Sequence, residues 1–493
     1  MKVIVHTSPY SFKVKLNQNG MIKDTLVPIG PFLGQLIDKS WDHMSRRYVT
    51  TQKYFYYNKR DEYLYIPKFL YTKFYEYVKT YGGVIHEIQR VIQKGKSIDL
   101  SMKPGYQDKS EKQTEAINTI INIFKDNAIR GLSLQTGGGK TVSFIRICTL
   151  LKKRAILCTN GLVDQWIEEV LLWTGCDKED IYVIKGYASI VKLLKEIDKT
   201  IFPKIIIAST PTLQEYATDN SEAYKELPPF EDFFDICKIG VRGIDEAHER
   251  FKANLIIDMM SNTEILIPIS ATLGRSKEFE KKIFNLHYPQ KQRYGEGDFD
   301  RYINVYSYSY DIGYLPSRAY QSPKGYSGAK YEAYLLKNKL KIESVYDTVL
   351  KPIIRIHYLN KRDDGHKLLM LCTTINMCEY LVTKLRRDTN CVVNLYISGT
   401  PNEVLKESDI IVSTPGSAGT GTDIKNLLAT IQTVSTKAEI INVQTLGRTR
   451  KLPDRDPEYI TVHNRGIRSH VEHNKTREIL YRERGKSYES IKL

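Results

Sequence analysis

Apolar and polar residues alternate along residues 2–6 and again along 11–16, which predicts two half-buried strands at the start of the chain. Residues 31–37 open on a proline and read as a short helix. Residues 48–57 and 62–66 are rich in Tyr, Thr and Val and read as a hairpin closed across 58–61. Residues 67–81 carry apolar positions at helical spacing, with Pro67 in the first turn and Gly82-Gly83 as the stop. From residue 104 the pattern changes. Short continuous apolar runs at 131–134, 154–158, 204–208, 238–244 and 265–269 predict buried strands. They alternate with helical stretches at 111–124 and 142–151 and around Gln165-Trp166. Polar residues stand just after each run, which is the layout of an open parallel sheet with its chemistry at the strand ends. Residues 302–310 form another alternating strand, 321–330 a loop, and 331–358 one or two amphipathic helices. Apolar runs then resume at 367–372, 392–397, 409–412 and 430–434, with a helix at 376–386, and predict a second sheet of the same kind. From Gly466 onward the chain reads as a basic helix.

These shifts set the expected boundaries: a small N-terminal α/β domain at 1–103, an α/β unit at 104–290, a linker with an inserted strand and loop at 291–334, a second α/β unit at 335–465, and a basic helical tail at 466–493. Length agrees, since 493 residues at about 150 per domain suggest roughly three domains. The 73 Lys and Arg against 57 Asp and Glu leave a net charge of +16, which makes nucleic acid the first partner to consider. In the N-terminal domain, basic and aromatic residues interleave at Arg46-Arg47-Tyr48 and Lys53-Tyr54-Phe55. That mixture suits phosphate contact with base stacking, and equally suits a β-ribbon with ordinary packing aromatics. No run approaches about 18 apolar residues and the first residues lack a signal-peptide core, so the expectation is a cytoplasmic protein without a membrane span. The seven Cys are scattered and read as small core residues in a reducing compartment. His463, His470 and His473 stand close together, but no Cys or carboxylate joins them at ligand spacing, so a solvated or DNA-facing helix is the better reading than a metal site.

The chemistry concentrates at Leu134-Gln135-Thr136-Gly137-Gly138-Gly139-Lys140-Thr141. Consecutive glycines let backbone N–H groups turn around a polyphosphate, and the following helix offers its positive end to the same charge. Thr136, Gly137, Gly138 and Gly139 would cradle the phosphates, Lys140 would reach the β/γ-phosphates, and the Thr141 hydroxyl would hold Mg²⁺. The strict pattern places Gly where Leu134 stands. Asp245-Glu246 follows an apolar strand downstream, where such ATPases place the Mg²⁺-binding Asp, and Glu246 is positioned to orient or deprotonate water. The second unit has no phosphate loop with lysine, but its Gln444, Arg448 and Arg450 could reach a nucleotide held by the first.

In chain order stand Gln113, Gly139-Lys140-Thr141, Asp245-Glu246-Ala247-His248, Ser270-Ala271-Thr272, Thr420-Gly421-Thr422-Asp423 and Gln444-Thr445-Leu446-Gly447-Arg448. This order over about residues 104–465 resembles the superfamily 2 helicases of the DEAH-box type. The small N-terminal domain and basic tail are similar to phage UvsW-type branch-migration helicases. The resemblance implies two tandem RecA-like domains with ATP between them and nucleic acid across both. It implies an adenine-sensing role for Gln113, nucleotide contacts for Gly421 and Asp423, coupling for Ser270 and Thr272, and transition-state roles for Gln444 and Arg448. A second finger arginine is expected three residues after the first, where Lys451 stands; Arg450 is the expected substitute. Lys112 replaces the usual aromatic before Gln113, and Tyr106 could stack on adenine instead.

The expected function is an ATP- and Mg²⁺-dependent DNA helicase or translocase on forks and four-way junctions, monomeric or weakly associating, with replication or recombination proteins as partners and the host cytoplasm as its place if phage-encoded. Thr159, Gln165, Thr212, Thr373 and Thr420 are the expected phosphate grips on DNA. The alternatives are an RNA helicase or RNA-dependent ATPase, separable by the 2′-OH, and a nucleic-acid scaffold with a vestigial ATP site.

Overall fold

The computed structural model describes every residue except 43–45, 136–137, 220, 272, 274–276, 296–299, 324 and 419–423, and the side chains of 42 and 440. The chain divides into two compact units, 1–296 and 297–493.

The first unit opens with seven strands: β1 (Lys2–Thr7), β2 (Ser11–Lys15), β3 (Ile37–Asp42), β4 (Arg47–Lys53), β5 (Tyr56–Asn58), β6 (Tyr63–Pro67) and β7 (Val84–Gln89). Five of them form a mixed sheet in the order β5-β6-β2-β1-β7. β3 and β4 pair only with each other among the described residues. The expected hairpin of 48–57 with 62–66 is therefore corrected: the aromatic run splits, its first half pairing with β3 and its end, β5, with β6. The split falls at Tyr54, which leaves the ribbon and is buried against Phe251 and Phe279.

Seven further strands follow: β8 (Gly131–Ser133), β9 (Ala155–Thr159), β10 (Ile181–Ile184), β11 (Ile205–Ser209), β12 (Val241–Ile244), β13 (Ile265–Ser270) and β14 (Arg293–Tyr294). They make one parallel sheet in the order β10-β11-β9-β12-β13-β8-β14. One face carries the helices Glu111–Asn118, Lys140–Leu151 and Val163–Trp173. On the other lies the helix Phe251–Met260, in which every residue but Lys252 is buried. A helix buried on nearly every side needs cover beyond the sheet it lies on. The N-terminal sheet supplies it: Val3, Val5, Phe12 and Leu64 share one core with Leu255, Ile257 and Met259. Polar ties cross the same boundary, from the Tyr10 hydroxyl to the Thr263 carbonyl (2.7 Å), from Ser11 to the Met259 carbonyl, and from Lys13 to Glu231 (2.7 Å). Residues 1–103 are thus joined to the first sheet by a common interior.

The second unit contains β15 (Asn304–Tyr310), the small hairpin β16 (Gln321–Ser322) and β17 (Gly325–Tyr326), then β18 (Lys367–Leu371), β19 (Val393–Tyr396), β20 (Ile410–Ser413), β21 (Leu427–Gln432), β22 (Glu458–Asn464) and β23 (Ser487–Lys492). Its large sheet is again parallel, in the order β19-β20-β18-β21-β22-β15-β23. Ranked by chain order within each unit, both large sheets follow one pattern, 3-4-2-5-6-1-7. The fold is two tandem RecA-like parallel-sheet domains with a small mixed N-terminal sheet. The expected basic tail is the helix Arg468–Arg484, but it is packed rather than solvated: His470, Asn474, Arg477, Leu480 and Tyr481 are buried, and β23 then closes the sheet against β15. The strand within the expected linker, β15, lies between β22 and β23.

Candidate nucleotide site

Parallel strands end on the same edge of their sheet, so residues far apart in sequence gather there. In the first unit Ser133 of β8 pairs in register with Ser270 of β13, and Cys158 of β9 with Ile244 of β12. The phosphate loop, Thr159, Asp245 and Ser270 therefore share one edge.

The loop enters the Lys140–Leu151 helix through Gly139, whose backbone is left-handed (φ 81°). A side chain here would be strained and would meet the Gln113 amide at 2.9 Å. The Gly139 carbonyl accepts from the Ser143 hydroxyl (2.9 Å), which fixes the first turn. Lys140 and Thr141 are its first two residues and are half-buried. Gly138 donates to the Gln135 carbonyl at 2.9 Å. Thr136 and Gly137 lie outside the described residues. Gly243 on β12 lets the helix close on the sheet, since a Cβ there would meet the Phe144 ring at 2.5 Å.

Gln113 is buried in the first turn of its helix, capped by Ser110. Its Oε1 accepts from the Lys109 N–H (2.6 Å) and its amide nitrogen lies 3.5 Å from the Gly139 carbonyl. It braces the phosphate loop. Tyr106 is held by Asp108 (2.8 Å) and meets Trp173 edge-on.

Asp245 follows β12 and is 8% exposed. Its Oδ2 accepts from the Trp166 indole N–H (2.8 Å) and lies 3.5 Å from the Thr159 hydroxyl. Burial raises its pKa above the ordinary carboxylate value, and the neighbouring Glu246 charge adds to this; the Trp166 bond and Lys140 oppose it. A cation at this point relieves both causes. The Thr141 hydroxyl and Asp245 carboxylate are hard oxygen donors of the kind Mg²⁺ takes, so the residues present fit that ion. Among the described residues no group of three or more His, Cys, Asp or Glu forms a separate metal cluster.

Glu246 has a left-handed backbone (φ 45°), a conformation that for a non-glycine residue persists only when its surroundings hold it. Here the Ser270 hydroxyl donates to Glu246 Oε2 (3.0 Å), and His248 Nδ1 lies 2.7 Å from the same hydroxyl and 3.3 Å from Glu246 Oε2. Ser270 thus joins the end of β13 to the Glu246 carboxylate. Ser270→Ala is expected to lower kcat for ATP hydrolysis about tenfold, with stability reduced by about 1 kcal/mol for the lost hydrogen bond; steady-state ATPase and denaturant unfolding check it. An unchanged kcat would mean that Glu246 needs no such anchor.

Two of the expected DNA grips have buried side chains. Thr159 has no exposed surface, and its hydroxyl lies 3.5 Å from Asp245 Oδ2. The Thr212 hydroxyl is also buried and accepts from the Gly186 N–H (3.0 Å), holding the turn after β10. Gln165 is half-buried in the Val163–Trp173 helix. In the second unit Thr373 is half-buried at the end of β18, and its N–H donates to Glu332 (2.7 Å). Gln444 lies in the helix Glu439–Leu446 and Arg448 just beyond it; Arg448 is buried, Arg450 half-buried and Lys451 exposed. Thr272, Thr420, Gly421 and Asp423 lie outside the described residues.

The sequence reading gave no role to Trp166 or His248. Trp166 falls on the apolar face of its helix and so reads as core; the signal is that a buried indole needs an acceptor, and Asp245 provides it.

Residues 108–275 match the family model described as Type III restriction enzyme, res subunit. Comparison with curated protein sequences returns no match. Among solved structures the chain is similar to the ATP-dependent Type ISP restriction-modification enzyme LlaBIII bound to DNA, at 15% identity and a TM-score of 0.51, covering 79% of this chain. The chain spans 31% of that enzyme's length. Others are Mss116p bound to ssRNA and AMP-PNP (15% identity, TM-score 0.48, 78% of this chain and 77% of that one) and T4 UvsW (13% identity, TM-score 0.34, 100% of both). Through a helicase-type domain at residues 108–275 and tandem RecA-like sheets over most of its length, the chain resembles the superfamily 2 helicases.

Proposed function

We propose that this protein is an ATP-driven DNA translocase that remodels branched DNA, such as forks and four-way junctions. The observation that carries the reading is the meeting of the phosphate-loop helix, Asp245 and the Ser270-anchored Glu246 at one edge of a parallel sheet. The second unit repeats the strand order, but after its own first strand stands Asp311-Ile312-Gly313-Tyr314, with no lysine for phosphate. One nucleotide per chain follows.

In this proposal Gly138, Gly139 and Lys140 hold the phosphates, with Thr136 and Gly137 completing the loop. Thr141 and Asp245 hold Mg²⁺, which supplies neutralisation of phosphate charge when bound. Glu246 orients water and accepts its proton as the water oxygen bonds to the γ-phosphorus and the bond from that phosphorus to the β–γ bridging oxygen breaks, releasing ADP and phosphate. Arg448 and Arg450 stabilise the charge that develops, a contribution of about 10³–10⁵ in rate for such arginines, with Gln444 beside them. Gly421 and Asp423 belong to the nucleotide-linked loop of the second unit, and Gln165, Thr373 and Thr420 are the remaining candidates for backbone contacts. The +16 net charge supports a polyanionic partner.

Steady-state ATP hydrolysis on matched single-stranded DNA, duplex, four-way junction and single-stranded RNA tests the reading. The junction is expected to stimulate most, with log affinity falling linearly and steeply against log salt. Stimulation mainly by RNA would make the protein an RNA-dependent ATPase. Stimulation by none would leave a nucleic-acid scaffold.

A further inference from the structure

The β3–β4 ribbon exposes more aromatic surface than its own folding uses. Trp41 and Tyr48 are directly opposed in the register, 45% and 69% exposed, with ring centroids 5.2 Å apart at a T-shaped angle. Directly opposed residues share a face, and alternation puts Lys39 and Thr50 on that same face. Asp38 and Ser40 alternate to the other side, so the described aromatic face holds a lysine and no carboxylate. Arg46 is exposed in the turn just before the second strand, while Arg47 is opposed to Asp42 and so lies on the other side. Strands of this length reach about 20 Å.

The root of the ribbon is fixed. Leu36 and Tyr54 are buried, and the Tyr54 N–H donates to the Leu36 carbonyl (2.9 Å). Tyr54 packs on Phe251, the first residue of the helix that follows Asp245–His248 in sequence. An isolated two-stranded ribbon is marginal in water, and apolar rings on it would ordinarily be a liability. Rigid aromatic faces with cations beside them and no acid among them suit a partner that has flat π surfaces and phosphates together.

We propose that Trp41 and Tyr48 stack on unpaired bases at the branch point of DNA, with Lys39 and Arg46 on the adjoining phosphates. The proposal rests on the branched-DNA reading above and assigns junction recognition to this ribbon. Linear duplex has no free base face, so the aromatic pair discriminates for branched substrates without reading sequence.

The test uses the full chain, without ATP, on a fork carrying 2-aminopurine at the unpaired position next to the branch, with a linear duplex as control. Wild type should change the 2-aminopurine fluorescence on binding. Trp41→Ala with Tyr48→Ala should remove that change and weaken fork binding about tenfold or more, since stacking of one base is commonly worth that much. Duplex affinity and basal ATP hydrolysis should stay within about twofold, and Trp41→Phe with Tyr48→Phe should restore most of the fork affinity. Unchanged fork affinity and fluorescence in the alanine pair, at an unchanged unfolding midpoint, would overturn the proposal and leave the ribbon to a protein partner. Equal loss on fork and duplex would overturn it as well, since the rings would then be general contacts. If no DNA stimulates wild-type ATP hydrolysis, the motor reading fails while the fluorescence result still decides this one.

Discussion

Lys140→Ala is expected to lower steady-state ATP hydrolysis by about 10³-fold or more, with little change in stability. The magnitude follows from its place: it is the first residue of a helix whose entry is locked by Gly139, Ser143 and Gln113, so its charge is presented at a fixed point instead of searching for it. The side chain is half-buried at the sheet edge and is not part of the apolar core, so its loss leaves the packing of Phe144, Ile145 and Ile147 intact. ATP turnover and the thermal midpoint, measured on one preparation, check both halves. Turnover within about tenfold of wild type would remove the phosphate assignment, and with it the motor.

The largest effect on folding is expected from Asp258→Ala. Asp258 and Arg242 form an ion pair, and neither has any exposed surface. The second carboxylate oxygen accepts from His287 (2.9 Å) and from the Tyr288 hydroxyl (2.8 Å). Burial and the Arg242 charge lower the pKa of His287 to about 3, so it serves as a neutral donor at pH 7. Removing the carboxylate strands a guanidinium in the interior of the sheet that carries Asp245, at a cost of about 3–5 kcal/mol. The denaturant midpoint should fall accordingly. Replacing both partners by apolar residues, Arg242→Met with Asp258→Leu, should recover most of the loss, because the cost lies in the unpaired charge and not in the absence of a bond. Arg242 also reaches Cys158 Sγ (3.4 Å) and Asn254 Oδ1 (3.5 Å), and equal instability of the single and double variants would show that these contacts and those of His287 dominate.

The two large sheets are legible in the chain because buried parallel strands are continuous apolar runs, as in Ala155–Thr159 and Ile265–Ser270. Their functional residues are legible because the chemistry sits directly after those runs. What the pattern does not mark is strand with polar content. β22, Glu458–Asn464, is buried throughout although four of its seven residues are Glu, Thr, His and Asn. Two of them find polar partners only in the folded chain: Glu458 pairs with His357 and Lys361, and the Asn464 side-chain oxygen accepts from the Gly466 N–H. Arg477 is the same case on the tail helix, a cation in a basic sequence that the fold turns inward to the Val434 carbonyl. Thr159 and Thr212, both buried, show the same ambiguity in the site. A hydroxyl after a strand can serve a ligand or brace a neighbour, and composition does not say which.

The shared interior of the N-terminal sheet and the Phe251–Met260 helix bears on how such a chain could have been assembled in evolution. An appended module travels between genes because its core is its own and only a linker must be joined. Here β2 and β6 cover one side of that helix, and Tyr10, Ser11 and Lys13 find their partners at Thr263, Met259 and Glu231. Cutting at residue 103 would expose one half and strip the other. The N-terminal sheet and the first parallel sheet are therefore inherited together, and a change in the ribbon's anchoring residues is answered within the helix that leads back to Asp245.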